Sequence, residues 1–220
     1  MHRLRHWNEV IVMNAKSGRT YSTHFSLAES PIYEDGNWIS GGIIGIDWGD
    51  VLTTSGPAIG RDGPFIYSDP TALLTGDWGP DQSAEATVYS KNQTNKYWQE
   101  GEIRLRSSLT AHHCSGDEIL FRCLKTEEAY MEVVRWNGLV GDFTYLSRNK
   151  GSKYGVANGD VIKAAIIGNN IKGYINGKLI DTVHDNTFAT GNPGIGFNYG
   201  CGDTYGDFGL TSLVVTDGKV

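Results

Sequence analysis

The sequence predicts an all-β protein, built as a two-sheet antiparallel β-sandwich or jelly roll. Three observations lead to this prediction. Apolar and polar residues alternate with the period of a half-buried strand in most of the chain. The sequence of 220 residues contains 29 Gly, with no collagen-like period, which indicates many turns. Asn-Gly pairs separate several apolar runs, and this dipeptide is a strong short-range signal for a β-hairpin.

Seven segments carry the alternation most clearly. They are 83–89, 101–109, 117–124, 129–136, 160–167, 171–176 and 208–215. Asn176-Gly177 lies inside the run 174–180, and we predict that it closes a two-residue hairpin, because both turn positions must accept a positive φ. Residues 30–80 are richer in Gly, Pro, Asp and Trp, which predicts loops joined by short strands such as 42–46.

The length fits one domain, because all-β sandwiches of 200–250 residues are ordinary single units. We expect residues 1–24 to form an N-terminal strand or arm and residues 25–217 to form the sandwich body. The chain has 19 Lys and Arg against 25 Asp and Glu, a net charge of −6. This balance argues against a nucleic-acid partner, which needs clustered basic residues. No apolar run approaches the length of a membrane helix, so we expect no membrane partner.

The N-terminal segment is basic but leads only into the short apolar run of residues 10–13, too short for a signal peptide. Either the protein is not exported by that route or a signal has been removed. A lectin-like protein without such a signal could leave the cell by lysis as part of a virus particle. The expected location is therefore extracellular or on a virion surface. The expected partners are glycans and other virion or surface proteins.

The three cysteines are Cys114, Cys123 and Cys201. Cys114 and Cys123 lie nine residues apart around a predicted turn, so a hairpin disulfide is geometrically conceivable. Three reduced thiols are the alternative that we favour. No C-x-x-C motif occurs, and His112-His113-Cys114 lacks a fourth ligand, so a structural zinc site is not expected.

Two longer stretches resemble a known superfamily. Residues 159–177 contain Gly-Asp-Val-Ile-Lys-Ala and end in Tyr-Ile-Asn-Gly, and residues 185–197 read Asp-Asn-Thr-Phe-Ala-Thr-Gly-Asn-Pro-Gly-Ile-Gly-Phe. Both resemble the concanavalin A-like lectin/glucanase superfamily, in particular its laminin-G-like and polysaccharide-lyase-like jelly rolls. The resemblance extends over residues 25–217. It implies a concanavalin A-like jelly roll that recognises carbohydrate or decorates a surface.

The resemblance also raises the possibility of a structural Ca²⁺, because many of these jelly rolls hold one. Calcium requires hard oxygen ligands, and the candidate donors are Glu34, Asp35, Asp203 and Asp207. Their spacing does not resemble a dedicated calcium loop, so ordinary solvated turn residues are the alternative that we favour. No other cofactor is expected.

The acidic motif E-x-D-x-x-E of the superfamily's glucanases is absent, which favours a non-catalytic protein. A glycosidase needs two carboxylates about 5–9.5 Å apart, and on one strand only Glu100 and Glu102 meet this requirement. We interpret that pair as solvated carboxylates at the start of a strand. A polysaccharide lyase or glycoside hydrolase remains the alternative function. A lyase could draw its base and its carboxylate-neutralising groups from a set of histidines and arginines: His112, His113, Arg104, Arg106, Arg122 and Arg135.

Sugar-binding surfaces combine aromatic rings, which cover the apolar faces of sugars, with polar groups that bind the hydroxyls. Loop aromatic residues beside polar residues are therefore the candidates for glycan contact. The predicted carbohydrate site comprises Trp98, Tyr97, Trp78, Asn95 and Gln99. Trp48 is a weaker candidate, and Trp38 and Trp136 are expected to fold back and close the ends of the sandwich. No catalytic residue is assigned.

Overall fold

The computed structural model describes residues 18–61, 69–94, 98–198 and 206–218. This part of the chain contains sixteen strands and three 3₁₀ helices. In chain order the strands are β1 Thr20–Thr23, β2 Ala28–Glu29, β3 Trp38–Ser40, β4 Val51–Thr54, β5 Ala58–Gly60, β6 Thr71–Leu74, β7 Gln82–Ser90, β8 Glu100–Thr110, β9 His113–Arg122, β10 Tyr130–Gly138, β11 Phe143–Lys150, β12 Val161–Ile167, β13 Asn170–Ile175, β14 Lys178–His184, β15 Asn192–Asn198 and β16 Phe208–Asp217. The 3₁₀ helices are Glu34–Gly36, Gly41–Ile44 and Ser152–Tyr154.

The strands form two antiparallel sheets, which confirms the predicted sandwich. The seven-stranded sheet has the order β11-β10-β9-β8-β15-β6-β3. The nine-stranded sheet has the order β14-β13-β12-β7-β16-β5-β4-β2, with β1 paired to β16. The first described strand, predicted as part of an N-terminal arm, is thus joined to the last strand by hydrogen bonds. No helix in the described ranges is long and apolar enough to span a membrane.

The alternation in the sequence decides which side chains fill the space between the sheets. Ile103, Ile119 and Val133 point inward from β8, β9 and β10, and Ile162 and Leu213 belong to the same core from β12 and β16. All five are completely buried. Because successive side chains of a strand point to opposite faces, the intervening polar residues of β8, β9 and β10 point away from this core. They build the outer face of the seven-stranded sheet.

The hairpin predicted at Asn176-Gly177 is confirmed. Ile175 of β13 pairs with Lys178 of β14, which leaves two residues in the turn. Asn176 has φ 50° and Gly177 has φ 75°, the positive values that a type I′ turn requires. A β-branched side chain resists this conformation.

Replacing Gly177 with Val should therefore lower the free energy of unfolding by about 1–2 kcal/mol, because an L-residue pays this cost in the left-handed region. Urea denaturation measures the change. Lys178→Val is the matched control, since it places the same side chain at an exposed strand position where Val is favoured. Equal stability of the two variants would show that the turn tolerates a β-branched residue.

One predicted short strand is wrong. Residues 41–44 form a 3₁₀ helix instead, because Gly42 donates its backbone N–H to the carboxylate of Asp50 and Gly45 adopts φ 77°. The Ile46 N–H then bonds the carbonyl of Gly41. The chain turns back as a compact loop that packs on the outer face of the seven-stranded sheet.

The sequence left the pairing of the cysteines open. Cys114 and Cys123 are both buried and free. Cys114 lies near the start of β9, and Cys123 directly follows its last residue. Burial raises the pKa of each thiol to about 12, so both are protonated and unreactive near neutral pH. Cys201 lies outside the described residues.

Candidate functional site

A cavity of about 480 Å³ opens on the outer face of the seven-stranded sheet. Its floor is formed by β8, β9 and β10, and β11 forms one wall. The lining side chains are carboxylates, aromatic rings and a few apolar and polar groups. They include Asp69, Trp98, Glu100, Glu118, Leu120, Tyr130, Glu132, Val134, Trp136, Phe143, Tyr145, Arg148 and Asn198.

The strand register explains why the carboxylates converge. Glu102 pairs with Leu120, Leu120 with Glu132, and Glu132 with Arg148, so one row crosses four strands. The next row contains Arg104, Glu118 and Val134. Paired residues of neighbouring strands point to the same face of a sheet. Residues far apart in the sequence thus become neighbours on the cavity floor.

A buried ion cluster lies beside the cavity floor, and of its three members only Glu118 lines the cavity. The Nη2 of Arg104 lies 2.9 Å from the Oε2 of Glu102 and 2.7 Å from the Oε2 of Glu118. Burial alone would lower the pKa of Arg104, but the two carboxylates outweigh it and raise that pKa. Burial and the charge of Glu118 raise the pKa of Glu102 well above its ordinary value. A Cβ at Gly196 would come within 2.2 Å of Glu102, so only glycine leaves room for the cluster there.

The indole rings of Trp48 and Trp136 pack over this ion cluster. Trp48 belongs to the segment 41–48, and Trp136 belongs to β10. The ring centroids of Trp48 and Trp136 are 4.4 Å apart, and the guanidinium of Arg104 lies 5.1 Å from the Trp48 centroid. The Trp136 Nε1 donates to the Oε2 of Glu118 at 2.7 Å. With Ile46, Leu120 and other apolar neighbours, the two rings form a second small core outside the sandwich. This cover excludes water from the ion cluster.

Glu100 is held in a different way, by neutral donors. The Tyr130 hydroxyl donates to its Oε1, and the Asn198 Nδ2 donates to its Oε2 at 2.7 Å. Burial raises the pKa of Glu100 to about 7 and outweighs these two hydrogen bonds, which lower it. The Glu100 carboxyl therefore changes its charge near neutral pH.

Asp69 and Glu132 complete the set of carboxylates. Burial, aided by the charge of Glu118, raises the pKa of Asp69 to about 8. The Glu132 Oε1 accepts a hydrogen bond from the Arg148 Nε at 2.8 Å, which opposes the raising of its pKa by burial. The Arg148 guanidinium also lies 4.0 Å from the centroid of the Tyr145 ring. This contact holds the Tyr145 ring at the mouth of the cavity.

Exposed aromatic rings border the cavity. Trp98 is 46% exposed, Tyr145 41% and Phe143 38%. The Phe143 ring lies 5.1 Å from both Trp136 and Tyr145, measured between ring centroids. A contiguous patch of exposed rings, unlike a single exposed side chain, often marks a site of interaction. The cavity therefore combines an apolar rim with a polar floor.

The structure separates the residues that the sequence predicted to bind carbohydrate. Trp98 lies at the cavity. Gln99 is buried, and its side-chain amide donates to Asn92 at 3.2 Å, so it does not line the cavity. Trp78 is also buried, with its Nε1 donating to the carbonyl of Thr75 at 3.2 Å and Arg19 over its ring. Tyr97 and Asn95 lie outside the described residues.

The expectation that Glu100 and Glu102 are solvated carboxylates is wrong. Both are buried, because their side chains point to the covered face of the sheet rather than to solvent. Trp48, a weaker candidate for sugar contact, is buried against Trp136. Trp38 is buried as expected, and its Nε1 donates to Tyr21 at 2.8 Å.

The histidines and arginines proposed for a lyase do not converge. His112 is exposed on the β8–β9 turn, 3.1 Å from Asp47. Arg106 donates to the backbone carbonyls of Pro80, Phe188 and Gly168. Arg135 pairs with Asp185 at 2.7 Å, and Arg104 is enclosed in the ion cluster.

Most residues of the cavity were not predicted as site residues from the sequence: Glu118, Tyr130, Glu132, Tyr145, Arg148, Asn198 and Asp69. A signal for part of it was present. Glu118 and Glu132 occupy outward-facing positions in the alternation of two neighbouring strands. Glu100 and Glu102 occupy the same kind of position on a third strand. Polar residues on three consecutive strands indicate a shared polar face, but the alternation does not show that a loop covers that face.

The predicted calcium donors do not form a shared site in the described ranges. The Glu34 carboxylate accepts hydrogen bonds from Tyr21, Thr23 and Trp38, and Asp207 lies 3.6 Å from Lys91. Asp203 lies outside the described residues. Among the residues that are described, no three His, Cys, Asp or Glu side chains are placed to hold a metal ion.

Comparison with known proteins shows the fold. No protein-family model matches the chain, and no curated protein sequence matches it significantly. Among solved structures, the carbohydrate-binding module CBM66 from Bacillus subtilis has a TM-score of 0.55 at 17% identity, over 82% of this chain and 92% of that one.

Two further neighbours were solved with a carbohydrate bound. The exoplasmic/lumenal domain of VIP36, with Ca²⁺ and Man3GlcNAc, has a TM-score of 0.58 at 10% identity, over 91% of this chain and 92% of that one. β-Agarase A, in complex with oligoagarose, has a TM-score of 0.55 at 9% identity, over 91% of this chain and 93% of that one. These neighbours share one architecture, and the chain has the concanavalin A-like jelly-roll fold.

Proposed function

We propose that the protein recognises carbohydrate and that the sugar binds in the cavity on the outer face of the seven-stranded sheet. One observation carries this proposal: exposed rings border a cavity whose floor holds buried hydrogen-bonding groups. Sugars present apolar faces and hydroxyl groups together, and pockets for small ligands combine apolar walls with a few placed polar groups. The volume of about 480 Å³ lies within the ordinary range for such pockets.

Each part of the cavity has a role in this proposal. Trp98, whose ring is nearly half exposed, covers an apolar face of a sugar ring. Glu100 and Asn198 bind sugar hydroxyls from the floor, already held in place by their mutual hydrogen bond. The named ligands of the structural neighbours support this proposal, since they include a mannose-containing glycan and oligoagarose.

Trp98→Ala should weaken glycan binding at least tenfold, about 1.4 kcal/mol, with a smaller loss of thermal stability than removal of a core tryptophan. The ring is 46% exposed in the free protein, so its removal costs less packing than that of a fully buried ring. Glycan-array screening followed by isothermal titration calorimetry measures the affinity. Tyr33→Ala is the matched control, because Tyr33 is 56% exposed and does not line the cavity. Equal affinities in the two variants would exclude Trp98 as a contact.

Glycoside hydrolysis is the second candidate, favoured by the carboxyls of the cavity. A glycosidase pairs a protonated carboxyl with an ionised one, and Glu100, with its pKa raised to about 7, meets the first requirement beside Glu118. Release of reducing ends from agarose, galactans or mucin glycans, lost in Glu100→Gln, would establish hydrolysis. If none of these substrates is cleaved, hydrolysis is contradicted and carbohydrate binding remains as the proposed function. The histidines and arginines considered for a lyase do not meet in the cavity, and an absorbance assay near 235 nm with uronate polymers tests that alternative.

The location on a virion surface, expected from the sequence, is a finer proposal. It gains no support from the fold, which serves many functions. Mass spectrometry of purified virus particles and of culture supernatants tests it. Recovery of the protein only from supernatants without particles would contradict a virion role.

A further inference from the structure

The charges around the cavity do not balance. Arg104 pairs with both Glu102 and Glu118 beside the floor, one positive charge against two carboxylates, and Arg148 pairs with Glu132 at 2.8 Å. Glu100 and Asp69 also line the cavity. Within the described part of the chain, neither of these two forms an ion pair. The nearest cation to Glu100 in the strand register is Arg122, whose guanidinium lies over the Tyr130 ring at 5.2 Å.

The surroundings of Glu100 make this imbalance costly. Both of its oxygens accept hydrogen bonds, but the donors, Tyr130 and Asn198, are neutral. A buried carboxylate without a cation is expensive, and the pKa of Glu100 is accordingly raised to about 7 by burial. Burial and the charge of Glu118 raise the pKa of Asp69, and the charge of Glu100 adds a smaller contribution.

One further feature indicates what would compensate these charges. The rings of Trp98, Trp136 and Tyr145 line the same cavity as Glu100 and Asp69. Aromatic faces attract organic cations, an attraction that strengthens when water is excluded.

We propose that the cavity selects a sugar that carries a protonated amine. The ammonium group lies among Glu100, Asp69 and the aromatic wall, and the sugar ring packs on Trp98. This inference rests on the proposed carbohydrate binding and names the class of sugar: an amino sugar with a free amine, as opposed to its N-acetylated or neutral counterpart. Acetylation removes the charge and leaves the sugar ring unchanged.

The test compares matched ligands by isothermal titration calorimetry at pH 7, where the amine of glucosamine is largely protonated and Glu100, with a pKa of about 7, is about half ionised. An ammonium group bound beside Glu100 and Asp69 favours the ionised forms of both carboxyls. The probes are glucosamine, galactosamine and the β-1,4-linked glucosamine tetramer, each beside its N-acetylated form. We expect the amine forms to bind at least tenfold more tightly. Equal or tighter binding of the N-acetylated forms, or binding of neutral glycans alone, would overturn the inference and leave carbohydrate binding intact. Failure of every glycan, charged or neutral, would overturn both proposals.

Variants locate the charge effect. Glu100→Gln and Asp69→Asn each keep the shape of the side chain and remove its charge, and we expect each to weaken binding of the amine forms at least tenfold. Glu85→Gln, an exposed position on β7 of the other sheet, is the matched control and should change the affinity less than twofold. Unchanged affinity of both cavity variants for the amine forms would contradict the assignment.

Discussion

Replacing Arg104 with Met is expected to lower the free energy of unfolding by about 3–5 kcal/mol at pH 8, the cost of leaving buried charges without their partner. Arg104 is buried and pairs with Glu102 and Glu118 in a region from which Trp48 and Trp136 exclude water. Methionine fills a similar volume, so the loss reports on charge rather than on packing. Urea denaturation measures it.

The loss of unfolding free energy in Arg104→Met should be smaller at acidic pH. Without the arginine, the pKa of the Glu102 carboxyl in the folded protein, already raised by burial and by the charge of Glu118, rises further above its unfolded value, near 4.3. A carboxyl whose pKa is raised by folding destabilises the protein increasingly as the pH rises through this interval. The deficit is therefore smaller at pH 5 than at pH 8.

Lys150→Met is the control for this experiment. Lys150 forms a 2.8 Å ion pair with Glu128, but both side chains are exposed, and such pairs contribute about 0–1 kcal/mol. If Arg104→Met were as stable as Lys150→Met at pH 8, the buried ion cluster would not stabilise the fold.

The second large effect concerns pH. Burial raises the pKa of Glu100 to about 7 from an unfolded value near 4.3, so the folded protein binds more protons in this interval. Stability is then highest when the carboxyl is protonated and is lost as the pH rises toward and through 7. The raised pKa values of Asp69, about 8, and Asp117, about 7, act in the same direction. The free energy of unfolding should therefore fall between pH 5 and pH 8.5.

Glu100→Gln removes one of these titrations. Between pH 5 and pH 8.5 the difference in unfolding free energy between this variant and the wild type should change by about 3 kcal/mol in favour of the variant. Comparing the two pH values cancels any constant loss from altered hydrogen bonds to Tyr130 or Asn198. Urea denaturation at both pH values measures it, with Glu85→Gln as the control. A parallel pH dependence in the wild type and Glu100→Gln would show that Glu100 titrates normally.

The alternation in the sequence was sufficient to predict the strands, because a residue's place in a two-residue period decides which face it occupies. The segment 101–109 lies within β8 and the segment 160–167 nearly coincides with β12. Asn176-Gly177 predicted its turn because the backbone conformation there admits few residue types. These features depend on local chemistry, which a single sequence contains.

The candidate site could be predicted only in part, because it depends on contacts between distant segments. Polar residues at alternate positions of β8 indicate an outer face of the sheet, and such a face is ordinarily exposed to solvent. Here residues 41–48 pack over it through Trp48, and a strand face that would be solvated becomes a buried floor. The same limit applies to Trp78 and Trp98, which occur in similar loop contexts although only Trp98 is exposed.

The carboxyls of the cavity oppose stability and support the proposed binding. Buried acids with raised pKa values weaken the fold near neutral pH, and an apolar floor would be less costly. Binding sites often retain groups that the fold alone would not select. A ligand that bears a positive charge would recover part of this cost when it binds.

The most direct test uses the six tryptophans as reporters in a ¹⁵N-resolved NMR titration of their indole N–H signals, with the amine and N-acetyl sugars as ligands. Trp98 and Trp136 line the cavity, whereas Trp38 and Trp78 are buried in the main core. Single Trp→Phe variants assign the signals. We expect the signals of Trp98 and Trp136 to shift with ligand concentration while those of Trp38 and Trp78 stay in place. Shifts at Trp38 and Trp78 without a response from Trp98 and Trp136, or no shift with any sugar, would contradict carbohydrate binding in this cavity.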